Sequence, residues 1–253
     1  MRFSPESDIT LVVTSCGRFD LLKLTLESFD QFNTASIREV FITEDSGDEA
    51  VHDVIPLAWR PYCTVFVNTP KLGQLASIDL AYSHVSTPYI FHCEDDWEFY
   101  RPHFVEDSQT ILKLKPQILQ VWLRSHAHDL RIHSPYIHYG ERLLVDGVAC
   151  FPVLSDKPEW QSFTLNPGLR RYHDYLLCAP FNNYGGEKAI SKRYAELGLT
   201  SVALEADAVL HTGFGQHVDV VQEIQRKVRR RRRERVKLVT VLLLGVLVGI
   251  FID

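Results

Sequence analysis

The stretch "YIFHCEDDWEFY", residues 89 to 100, decides how this chain is read. Tyr89 to Cys93 have the character of a strand sunk in a core. Glu94, Asp95 and Asp96 then arrive together, and apolar character resumes with Trp97, Phe99 and Tyr100. Clustered carboxylates repel one another, and desolvating them costs on the order of several kcal/mol unless a cation compensates. A triple negative charge at the mouth of a buried strand therefore predicts a cation held there for a purpose.

Upstream, the same arrangement recurs. "DITLVVTSCGRFDLLKLTLESF" gives a strand over Ile9 to Val13, a small-residue turn from Thr14 to Gly17, and helical spacing of Leu21, Leu22, Leu24, Leu26 and Phe29. "REVFITEDSGDEA" gives a strand over Val40 to Thr43 that ends in acids and a turn, and "CTVFVNTP" gives a third strand. "LGQLASIDLAYSHV" reads as a helix with Leu72, Leu75, Ile78, Leu80, Ala81 and Val85 inward, before the strand "PYIFHC". This order predicts an α/β fold with a mostly parallel central sheet and helices on both faces. Ligands of such sheets bind beyond the carboxyl ends of the strands. The clusters Thr14–Arg18, Glu44–Asp48 and Glu94–Asp96 all fall at such ends.

Further on, "RPHFVEDSQTILKLKPQILQVWLRSH" reads as a helix with Phe104, Ile111 and Leu112 inward, then a strand over Ile118 to Leu123. "HAHDLRIHSPYIHY" is irregular and rich in histidine. No spacing in it is diagnostic of zinc, and surface-loop histidines are the favoured reading. "EKAISKRYAELG" is a helix ending at Gly198. A strand or two and a glycine-bearing loop around His211 follow. No Gly-x-Gly-x-x-Gly or Walker-type loop follows the first strand, and no His-Glu-x-x-His or Gly-x-Ser-x-Gly occurs.

The formal net charge of −5 hides an asymmetry. Residues 1 to 225 hold 18 basic and 30 acidic residues, while 226 to 253 hold nine basic and two acidic ones. An acidic body argues against nucleic acid as a partner. The reading divides the chain into a body over 1–225, a polybasic segment over 226–237 and an apolar segment over 238–252. The apolar segment spans about 22 Å as a helix, against roughly 30 Å of bilayer core. It is apolar all round, so a C-terminal membrane anchor is expected, with the arginine run and the body on the cytosolic side. Gly245 and Gly249 form a Gly-x-x-x-Gly that could pair two such helices into a homodimer. "MRFSPESDIT" carries no signal-type apolar stretch. The five cysteines lack a Cys-x-x-Cys spacing, and reduced thiols are expected.

In order and spacing, three fragments resemble the nucleotide-sugar glycosyltransferases of the GT-A fold, most closely the inverting family 2 type. They are "ITLVVTSCGR", "FITEDSGD" and "KLGQLASIDLAYSHVSTPYIFHCEDD". Glu-Asp-Asp also resembles the variant of Asp-x-Asp that some N-acetylglucosaminyltransferases use. The likeness covers residues 8 to about 100, and 182 to 217 more loosely. Asp79 stands where an Asn is common, and Glu94 where the first Asp is common.

The resemblance implies a divalent cation, Mn²⁺ or Mg²⁺, bridging carboxylates to a sugar nucleotide's diphosphate, UDP being the implied nucleotide. It implies Asp96 as direct ligand, Glu94 assisting, and His211 as a further metal or diphosphate contact. Thr14, Ser15, Arg18, Asp45, Asp79 and Asp95 would line the donor pocket, with Asp45 on the base or ribose unless it merely caps a turn. Glu187 would be the general base, with Asp129 or Asp174 as substitutes. Asn182, Asn183 and Tyr184 would form an acceptor wall for a saccharide, glycolipid or lipid-linked hydroxyl. The alternatives from other classes are a nucleotidyltransferase of related fold and a non-catalytic sugar-nucleotide-binding or membrane scaffold protein.

Overall fold

The structure is a computed structural model in which residues 1–157, 160 and 163–213 are described. The polybasic segment, the apolar segment and the Gly245–Gly249 pair lie outside the described residues. Among the described residues no helix is long and apolar enough to cross a membrane.

The elements run in the order β1 (Arg2–Phe3), β2 (Ile9–Ser15), α1 (Phe19–Phe32), β3 (Ser36–Ile37), β4 (Glu39–Glu44), β5 (Cys63–Val67), α2 (Gln74–Ser83), β6 (Tyr89–Glu94), β7 (Trp97–Phe99), α3 (Phe104–Leu114) and β8 (Ile118–Trp122). Then come α4 (Arg131–His133), β9 (Ile137–Tyr139), β10 (Leu143–Val145), β11 (Val148–Ser155), β12 (Gly168–Arg171), α5 (Tyr172–Leu176), α6 (Glu187–Glu196), β13 (Thr200–Leu204) and β14 (Val209–His211). The main sheet has the order β10-β11-β13-β8-β12-β6-β2-β4-β5, with β9 paired to β11.

The period-2 pattern explains the two layers. Ile9, Leu11 and Val13 point to one face and pack with Leu22, Leu26 and Phe29 of α1 and Phe104 and Ile111 of α3. Val12 and Ile90 point to the other, against Ile78, Ala81 and Tyr82 of α2 and Ile190 and Tyr194 of α6. The expectation of helices on both faces is met.

The expectation of a mostly parallel sheet is met in part. Strands β5, β4, β2 and β6 are parallel, and β13 also runs parallel to β8. β12 runs antiparallel to both β6 and β8, and β11 antiparallel to β13 and β10. The sheet is therefore mixed. One of the antiparallel pairs is a hairpin at Asp146-Gly147, both residues having positive φ (47° and 82°), which returns β10 onto β11. Leu72 also departs from expectation. It precedes α2, its backbone N–H donates to Asp45, and its side chain is exposed. All five cysteines are free thiols.

Candidate active site

Since β2, β4 and β6 are parallel and in register, their carboxyl ends share one edge. Ser15 lies opposite Glu44, and Thr14 opposite both Thr43 and Glu94. Thr14 and Ser15 are buried there, and Ser15 Oγ has no hydrogen-bond partner among the described residues. Glu44, which the sequence reading passed over, is fully buried. Its carboxylate accepts from Gly17 N (3.0 Å) and Ser46 N (2.7 Å), tying the turn after β2 to the turn after β4. Gly17 adopts φ +70°, which favours glycine, and a Cβ there would stand 3.3 Å from Ser46.

Asp45 is buried and heavily engaged. Its Oδ1 accepts from Asn68 Nδ2 (3.0 Å), Leu72 N (2.8 Å) and Ser77 Oγ (3.1 Å), and its Oδ2 from Gly73 N (2.8 Å). The residue that resemblance assigns to the nucleoside thus also organises the loop leading into α2.

The puzzle of the acid trio has a partial answer within the chain itself. Arg18, at the start of α1, pairs through Nη2 with Asp95 Oδ1 and through Nη1 with Asp96 Oδ2 (2.9 Å). Asp95 also accepts from Cys16 N (3.4 Å). Burial pushes Asp95 up to about 6, against the pull of Arg18. For Asp96 burial acts upward too, but the hydrogen bond from His211 and the charge of Arg18 outweigh it and hold the carboxyl below the usual range. His211 Nε2 lies 3.3 Å from Asp96 Oδ2, brought there by the antiparallel β14–β7 pair. Asp96 Oδ1 is buried and has no partner among the described residues. Gly213 packs directly on this carboxylate: a Cβ there would stand 2.7 Å from Asp96 Cβ.

Glu94 is half-buried and differently surrounded. Gln74 Nε2 donates to its Oε1 (2.7 Å), while Trp97 Nε1 (3.3 Å) and Asn166 Nδ2 (3.4 Å) reach Oε2. Burial, then the charges of Asp96 and Glu187, push it up to about 8. The Arg18 guanidinium thus offsets part of the triple charge, and burial favours the protonated form of Glu94.

Glu187 opens α6 after Gly185 and Gly186, whose φ values of +68° and +156° suit glycine. It accepts from Leu165 N (2.6 Å) and Thr164 Oγ1 (3.3 Å). Burial outweighs these bonds and pushes it up to about 6. The two substitutes are engaged otherwise. Asp129 is held through both oxygens by Arg124 at 2.7 Å, and Asp174 is paired with Arg171 at 2.8 Å. Arg124 also donates to Asn166 Oδ1 (2.8 Å) and lies 5.5 Å over the Trp97 ring. Arg124, Asn166, Gln74 and Trp97 were missed from sequence. An arginine just past the end of a predicted strand was the available signal for the first of them.

Asp79 faces the segment expected to hold the acceptor. Its carboxylate accepts from Tyr175 Oη (2.9 Å), Phe181 N (2.8 Å) and Asn182 N (2.8 Å), fixing the turn Phe181–Tyr184. Asn182 and Asn183 are exposed there and Tyr184 half-buried. Among the described residues no three His, Cys, Asp or Glu side chains converge on an ion by themselves. At this edge the described residues offer a cation the unpartnered Oδ1 of Asp96, with the His211 imidazole beside it. Oxygen and imidazole donors suit Mn²⁺.

No protein-family model matches this sequence, and no curated protein matches it. Solved structures do share its fold. A mannosyltransferase from Pyrobaculum calidifontis, in complex with GDP-Man and Mn²⁺, superposes with a TM-score of 0.55 at 12% identity, over 81% of this chain and 57% of that one. S. aureus TarS 1–349 in complex with UDP gives 0.54 at 13% identity, over 83% and 60%. GalNAc-T7 with UDP, GalNAc and Mn²⁺ gives 0.56 at 13%, over 80% and 43%. The chain therefore spans less than two thirds of each of these proteins. What it shares with them is the α/β fold with a mixed central sheet seen in GT-A glycosyltransferases.

Proposed function

We propose that this chain transfers a sugar from a nucleoside-diphosphate sugar, UDP-linked, to a hydroxyl acceptor with inversion. The observation that carries the reading is that Glu94 and Asp96 at the carboxyl end of β6 lie near Glu187 at the start of α6, in surroundings that push their pKa values apart. Groups whose environments push their pKa values apart mark a division of acid–base roles.

Glu187, ionised above about 6, takes the proton of the attacking hydroxyl. The bonds from Leu165 N and Thr164 Oγ1 hold its Oε2, fixing the carboxylate against the acceptor side. Asn182, Asn183 and Tyr184 flank that side on the turn that Asp79 anchors. Asp45 Oδ2, with one bond from Gly73 N, retains a lone pair for a nucleoside N–H or hydroxyl. Thr14, Ser15 and Arg18 line the same edge. Asp96 and His211 would hold Mn²⁺ or Mg²⁺, with Glu94 alongside and Asp95 keeping Arg18 in place. When bound, the ion supplies Lewis-acid stabilisation of charge on the departing diphosphate.

In the same reading the body works on the cytosolic side of a membrane, tethered through residues 238–252. The acceptor is then a saccharide, glycolipid or lipid-linked hydroxyl at that surface.

The test is a thermal-shift and turnover screen of nucleotide sugars with and without Mn²⁺. A donor that binds the native state raises the melting point by mass action. Transfer should vanish in Asp96→Ala, and full activity in that variant overturns the reading. Gly213→Ala forces the Asp96 carboxylate aside. It is expected to lower turnover about 10²-fold, the scale of an ångström-level misplacement, along with a fall in melting temperature from the overpacking; a rate equal to wild type would refute the contact.

A further inference from the structure

Behind the site, in the layer beneath α2, three buried polar side chains have bonding capacity that no described residue meets. Tyr82 and His92 are fully buried and Arg170 is 2% exposed. Tyr82 Oη, both ring nitrogens of His92, and Arg170 Nε and Nη1 are buried without a hydrogen-bond partner. They lie in one neighbourhood. His92 on β6 faces Gly168 across the antiparallel ladder and Ile90 faces Arg170, so His92 and Arg170 project from the same sheet face. The Tyr82 ring stands edge-on to His92 at 5.8 Å. The charge of Arg170 is felt at both Tyr82 and His92.

The surroundings leave that charge without a direct counter-ion. Arg170 makes no ion pair among the described residues, and its Nη2 donates to the Thr164 carbonyl at 3.4 Å. Phe163 covers the guanidinium at 5.3 Å. Gln120, its partner in register on β8, has both ends of its amide engaged, accepting from Thr164 N and donating to the Asn166 carbonyl. Asp79, the acid acting on Tyr82, is engaged by Tyr175 and by the amides of Phe181 and Asn182. Glu187, the other acid near Arg170, is reached through Thr164 and not directly.

We propose that Tyr82, His92 and Arg170 enclose a site for one small inorganic anion of halide size. The donor count favours an anion over water. Arg170 offers Nε and Nη1 with three N–H hydrogens between them, Tyr82 a hydroxyl that can donate or accept, and His92 a ring N–H, so donors outnumber acceptors. An unpaired buried guanidinium costs several kcal/mol, and an anion among four donors removes that cost where a water molecule does not.

The full chain is melted at constant ionic strength while sodium gluconate is exchanged stepwise for sodium chloride or bromide. The midpoint should rise by about 2–4 °C and then saturate, as a single site requires. Arg170→Met and Tyr82→Phe should each flatten the response, the second serving if the first does not fold. Bromide-soaked crystals of the wild-type protein should show an anomalous peak among the three side chains. A response that is flat, or that climbs without saturating and equally in wild type and Tyr82→Phe, overturns the proposal. So does water alone at that position in bromide-soaked crystals.

Discussion

Replacing Glu187 by Gln is expected to lower the rate of sugar transfer about 10²–10⁴-fold, the usual contribution of a positioned general base. The amide preserves the shape and one carbonyl acceptor for Leu165 N and Thr164 Oγ1 but cannot take a proton. The melting temperature should therefore move far less than the rate. The wild-type rate should climb with pH through about 6, because burial raises this carboxyl and its base form fills only above that value. The limb should be missing from the residual activity of the variant. Rates measured from pH 5 to 8 on both proteins decide the matter, and a variant retaining a tenth or more of the activity removes Glu187 from the role. Stability carries the opposite sign. Glu187 keeps its proton in the fold over a range in which the unfolded chain has released it. Its contribution to stability is thus lost as pH rises from the ordinary carboxyl value through about 6.

Asp45→Ala should produce the largest loss of stability. The substitution strips acceptors from two backbone amides, an asparagine amide and a serine hydroxyl at once. Some of these groups rehydrate and some stay buried, so a loss of about 3 kcal/mol is expected, a fall in melting temperature of roughly 10 °C for a chain of this size. Asp45→Asn should recover part of it, since the carbonyl oxygen can replace Oδ1, while its NH₂ turns a donor toward Gly73 N. A melting curve unchanged in the alanine variant would contradict the loop-organising function.

How much of this was legible in the sequence follows from the range of the interactions. Strands β2, β4, β5 and β6 and helices α1 and α2 were readable because each carries its apolar period within one short window. The antiparallel strands β9, β10 and β12 were not, since they have three or four residues each, too short to show alternation. One cue was present and unread: Asp146-Gly147 between Val145 and Val148 is a strong hairpin signal. At the site, Glu94, Asp96 and Glu187 stood out because isolated charge beside a buried strand or a glycine pair is conspicuous. The seating of Arg18 on Asp95 and Asp96 was not readable, because it depends on how α1 leaves β2. Nor were the anchoring bonds of Asp45 and Asp79, whose partners are largely main-chain amides that leave no trace in residue identity.

Helix α2 carries one of these two carboxylates and is gripped by the other. Asp45 fastens its entry and Ser77, and Asp79 on the helix fastens the turn at Phe181 and Asn182. The loop before α2 and the turn at Phe181–Tyr184 are thereby set apart by a gauge of fixed length cut from a single rod. Shortening that rod by one residue would turn its far end by about 100° and leave one of the two segments unmoored.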